Sequence, residues 1–93
     1  MTRDEIETYF EEHWPEETFL LADGFEDAFI GVVYGKMREP VACYDRAKCI
    51  DVMVKRDGMT LEDAEEYFGF NVVDAWMGEK TPMFLDLPSM EMS

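Results

Sequence analysis

Basic side chains are scarce. Eight Lys and Arg stand against 22 Asp and Glu, a formal net charge of -14, and a chain that negative gains nothing by approaching nucleic acid or an anionic membrane. Cysteine is scarce too. Cys43 and Cys49, both in apolar contexts, are too few for a disulfide scaffold and read as buried free thiols. The one histidine, His13, has no Cys or second His at metal-ligand spacing, so it reads as a structural or surface residue. No apolar run approaches the about 18 residues that a bilayer-spanning helix needs. The chain opens TRDEIET rather than with a basic and then hydrophobic signal region, so a soluble cytoplasmic protein without a membrane partner is expected. There is no Cys-x-x-Cys, phosphate-cradling Gly loop or nucleophile elbow, and around Gly58 the positions that an EF-hand reserves for acids include Met53 and Lys55. No catalytic residue, cofactor or metal is expected.

What is present is one domain's worth of chain, 93 residues of which 47% are hydrophobic, enough for a modest core. Its charge is uneven. Residues 1–27 hold ten acids and one base, residues 28–58 four acids and six bases, and residues 59–93 eight acids and one base. Thr2 with Glu5 matches a capping box, and Ile6, Tyr9 and Phe10 recur at helical spacing, which predicts a densely acidic helix over 3–13 stopped by Pro15. Phe19 to Ala22 is a short apolar run suited to a strand or a helical extension, followed by an Asp23-Gly24 turn. Two β-rich segments predict an antiparallel hairpin over 29–44, with a five-residue loop of Gly35 to Glu39 that presents Lys36 and Arg38. Asp45 is the N-cap of a helix over 46–57, whose apolar side gathers Ala47, Ile50, Met53 and Val54 and which closes at Gly58.

Thr60 with Asp63 resembles a second capping box and starts a helix over 61–77, closed by Gly78 and Pro82. A last strand over 81–87 and a frayed tail over 88–93 complete an α+β domain, with about three helices on a small, mainly antiparallel sheet. On the wheel of the third helix, Leu61, Ala64, Phe68, Asn71, Val72 and Ala75 share one side, and Glu62, Asp63, Glu65 and Glu66 the other. Phe70 and Val73 project from the acidic side. Either a neighbouring element covers them, or they form an apolar contact surface ringed by carboxylates. Asn71, amid the apolar side, is expected to be buried and to bond a nearby backbone group. The second and third helices invite comparison with a helix-turn-helix reader, but its recognition positions would be Glu62, Asp63, Glu65 and Glu66, which DNA phosphates repel.

The stretch Tyr44 to Phe84 resembles a family of small uncharacterised acidic proteins encoded by tailed bacteriophages. The matching features are Tyr44-Asp45, Lys48-Cys49-Ile50, Arg56-Asp57-Gly58-Met59, Glu65-Glu66-Tyr67-Phe68, Phe70-Asn71-Val72, Ala75-Trp76, Gly78-Glu79 and Thr81-Pro82. The resemblance brings no established activity; it implies a virus-encoded protein acting in an infected bacterial cytoplasm. The expectation is a non-enzymatic accessory protein that binds and modulates a host or phage protein with a basic surface, through Glu62, Glu66, Phe70 and Val73. The alternatives are a DNA mimic that inhibits a nucleic-acid-binding protein, a small enzyme, and a structural homo-oligomer or homodimer closed through Phe70, Val73 and Trp76.

Overall fold

The computed structural model describes residues 1–73 and 78–88. Helix α1 spans Arg3–His13, as its start signal predicts. The Thr2 hydroxyl accepts the Glu5 N–H at 3.2 Å and the Glu5 carboxylate accepts the Thr2 N–H at 2.8 Å, so two orphan donors of the first turn are satisfied reciprocally. The helix buries Ile6 and Phe10. Beyond it, Phe19 to Ala22 forms neither the strand nor the helix expected of it. Side chains fix this segment instead: Phe19 stacks on Phe10 at 4.2 Å, and the Ala22 N–H donates to the Tyr44 hydroxyl at 2.8 Å. Gly24 then turns the chain at φ +91°, with its carbonyl accepting from Arg56 Nη1 at 2.9 Å. A Cβ at Gly24 would lie 2.7 Å from that nitrogen, the end of a flexible side chain that could move aside, so it is the backbone angle that calls for glycine there.

A 3₁₀ turn, Glu26–Ala28, leads into strands β1 (Phe29–Gly35) and β2 (Arg38–Asp45). They form the expected antiparallel hairpin, but the loop is two residues, not five. Gly35 pairs with Arg38, and Met37 takes φ +65°, which closes the turn within Lys36 and Met37. Helix α2 (Arg46–Asp57) starts on Asp45, whose carboxylate accepts the Lys48 N–H at 3.3 Å, and stops at Gly58, φ +71°. Its buried side chains are Cys49, Ile50 and Met53; Ala47, expected among them, is exposed because it lies in the first turn beyond the covered face.

Helix α3 covers Leu61–Tyr67. The Thr60 hydroxyl accepts the Asp63 N–H at 3.1 Å, but among the described residues the reciprocal bond is not made, since Asp is one methylene shorter than the Glu5 that completes the box at α1. The helix expected to continue to 77 changes its winding: Phe68–Val73 is a π-helical turn, and residues 74–77 lie outside the described residues. Strand β3 is Met83–Leu85, shorter than the 81–87 expected, and the tail from 89 onward also lies outside them. No described helix is long and apolar enough to cross a membrane.

The sheet has the order β1-β2-β3, antiparallel along the longer β1–β2 pair and parallel along β2–β3. With three helices it makes a small α+β domain. A file of aromatic rings runs through the core. Phe10 and Phe29 meet edge to face at 5.7 Å, as do Phe29 and Tyr44 at 5.7 Å and Phe84 and Phe68 at 5.0 Å, while Tyr44 and Phe84 lie tilted at 5.9 Å. It ties α1 to the sheet and the sheet to the π turn.

Candidate interaction site

The capped first turn of α3 sets Glu62, Asp63, Glu65 and Glu66 in solvent, while Ala64 and Phe68 turn into the core. None of these four carboxylates takes part in a described ion pair. Glu62, Glu66 and Phe70 follow one another at intervals of four, so they continue one stripe along the helix surface. Phe70 is 73% exposed. Among the described residues no neighbouring element covers it. Leu61 and Tyr67 are exposed as well, and Leu61 therefore does not join the core side on which the wheel placed it.

Val73 is exposed but stands apart from this stripe. A π turn takes more residues per turn than an α turn, so residues three apart diverge further around the axis than the wheel assumed. Val73 borders a cleft of about 420 Å³ with Arg38, Glu39, Glu79, Pro82 and Met83. Asn71 is exposed rather than buried, although its side-chain amide does donate to the Tyr67 carbonyl at 3.3 Å. Ala75 and Trp76 fall outside the described residues.

Some acids elsewhere in the chain do have described partners. Glu5 is held in the capping box, Glu7 accepts from Arg3 at 3.2 Å, and Glu17 accepts from Lys80 at 3.0 Å. Lys80 is a junction that sequence inspection missed. Its ammonium also donates to the Pro40 carbonyl at 2.8 Å, approaches Glu39 at 3.5 Å and lies 4.8 Å from the centre of the Phe19 ring. The only hint in the sequence is that Lys80 is the one base among residues 59–93.

No protein-family model matches the chain, and no curated protein or solved structure does. The chemistry of its residues is then the guide. Among the described residues no group of three or more His, Cys, Asp or Glu side chains could hold a metal ion. His13 is exposed, its ring 4.8 Å from that of Tyr9. Cys43 and Cys49 are free and buried, as expected. Burial pushes both thiols up, Cys49 to about 12, with the nearby Asp45 charge adding to the shift. Neither cysteine of the native protein should therefore react with an alkylating reagent at mildly alkaline pH, and both should react in denaturant. Rapid native labelling would contradict this assignment. Because the folded state holds these protons more tightly than the unfolded chain, the linked stability is full below about pH 9 and falls as pH climbs toward about 12.

Proposed function

We propose that this chain is a non-enzymatic acidic binding module, a phage accessory protein that docks through α3 on a host or phage protein bearing a basic surface. The observation that carries this reading is Phe70, a large apolar side chain 73% exposed and set directly beyond carboxylates that no described cation neutralises. An exposed aromatic offers the buried anchor around which binding energy concentrates. Glu62 and Glu66 offer the charge that steers a basic partner and excludes acidic ones. Val73, at the edge of the neighbouring cleft, widens the apolar contact on one side. The site of action is the cytoplasm of the infected bacterium.

The test is capture from bacterial lysate, followed by calorimetric titration of the purified captured protein against wild type, Phe70→Ala and Glu62→Gln/Glu66→Gln. Removing an interface anchor should weaken affinity by about 2 kcal/mol or more, roughly thirty-fold, and the double change should mainly slow association. An affinity indifferent to Phe70→Ala overturns the α3 surface. A nucleic-acid-binding protein whose affinity for the chain collapses steeply with salt, independently of Phe70, would identify DNA mimicry instead.

A further inference from the structure

Two cations of this chain settle into the same kind of place, an aromatic ring with a carboxylate beside it. Arg56 Cζ lies 5.6 Å from the centre of the Phe25 ring while the guanidinium holds both oxygens of Asp57 at 2.9 Å. Lys80 Nζ lies 4.8 Å from the centre of the Phe19 ring while it donates to Glu17 at 3.0 Å. The negative face of a ring and a carboxylate attract the same positive charge, so the two act together on one side chain.

The same combination recurs on α1 without a described cation. Met1, Asp4, Glu5, Thr8, Tyr9 and Glu12 line a shallow groove of about 410 Å³. Asp4 and Glu12 are exposed, and neither takes part in a described ion pair. Arg3, the only Lys or Arg of the helix, is engaged elsewhere, with Glu7 at 3.2 Å and Asp23 at 2.6 Å. From Tyr9 the aromatic surface continues past the groove. The Tyr9 hydroxyl accepts from Trp14 Nε1 at 3.4 Å, and the Trp14 ring meets that of Tyr34 at 5.4 Å. Tyr34 keeps 69% of its surface in solvent even so. Glu16, two residues past Trp14, is exposed and has no described ion pair either. Among the described residues no Lys or Arg lies over Tyr9, Trp14 or Tyr34. We infer that this strip receives arginine side chains from a basic segment of a partner protein, one guanidinium in the groove with Tyr9, Asp4 and Glu12, a second on the open ring of Tyr34. Arginine suits it better than lysine, because a planar guanidinium can stack on a ring and still present N–H groups at its edge to a carboxylate. The strip uses no residue of α3, and the inference does not rest on partner binding there.

Titration of the isotope-labelled full chain with acetyl-Arg-Gly-Arg-amide at physiological salt, followed by NMR amide shifts, tests the inference, with acetyl-Lys-Gly-Lys-amide as the comparison. The arginine peptide should shift Tyr9, Glu12 and Trp14 and bind about three-fold tighter than the lysine peptide, the scale of a cation–ring contact at an exposed site. Glu12→Gln and Tyr34→Ser change exposed side chains, with folding checked by circular dichroism, and each should weaken the arginine peptide about three-fold. Glu62→Gln/Glu66→Gln removes more charge, but from α3, and should leave the affinity read at Tyr9 and Glu12 unchanged. Shifts that are absent or miss α1, equal affinity for the two peptides, or a loss that follows total charge and is larger in the α3 double variant than in Glu12→Gln overturns the inference.

Discussion

Phe68→Ala should cost the domain about 3–5 kcal/mol, the usual loss when a buried phenylalanine is cut to alanine, whereas Phe70→Ala should leave stability within about 0.5 kcal/mol. The two residues are separated only by Gly69, yet Phe68 is 1% exposed and meets Phe84 edge to face at 5.0 Å, while Phe70 stands in solvent. Removing the Phe68 ring breaks the file of aromatics where it passes from the sheet to the π turn, and the cavity left behind adds to the lost transfer energy. Small domains hold only about 5–15 kcal/mol in total, so Phe68→Ala should remove a large fraction of the domain's stability. Urea midpoints of the two variants check the contrast. Equal midpoints would mean that the π turn does not seat Phe68 as described.

Lys80→Met keeps the length of the side chain and removes its charge, and it should cost about 2 kcal/mol, in the range for hydrogen bonds made to charged groups. The Lys80 side chain is only 20% exposed, so the Pro40 carbonyl and the Glu17 carboxylate lose a donor where water replaces it poorly. A comparison with Lys55→Ala makes the point sharper. Lys55 pairs with Asp51 at 3.1 Å across one helical turn, but both side chains are well exposed, and such a pair contributes about 0.3–0.5 kcal/mol and is screened by salt. The loss from Lys80→Met should persist in concentrated salt. If denaturation curves show the two lysines to be equivalent, Lys80 is an ordinary surface cation.

Much of the secondary structure was legible because its signals are local. Thr2, Asp45 and Thr60 each sit at an N-cap and Gly58 at a left-handed stop, and each acts within a turn of its own residue. The hairpin was legible from its β-branched run, but not its tight turn, since Met37 is not a residue type that announces a positive φ. The π winding at Phe68–Val73 has no marker in a wheel that presumes a constant angle per residue, and Val73 was grouped with Phe70 for that reason. The direction of β3 depends on the path of the chain between Asp45 and Met83, which periodicity does not report. Lys80 was invisible because its partners, Glu17 and Pro40, are distant in sequence. At the candidate site the chemistry of Glu62, Glu66 and Phe70 was legible; what only the folded chain reveals is that nothing described covers Phe70.

The parallel pairing of β3 on β2, with Cys43 opposite Met83 and Asp45 opposite Leu85, has a consequence in time. A hairpin can close as soon as its two strands exist, but a parallel strand must wait for the whole crossover, and non-local contacts of this kind slow folding. On the ribosome, β1 and β2 would emerge and pair early, with Phe84 still to be made. Until then Tyr44 lacks one neighbouring ring and Phe68 lacks its edge-to-face contact. The nascent chain passes through a stage at which the hairpin is formed and one side of its sheet stands open, so β3 acts as the latch that ends its exposure to chaperones and proteases.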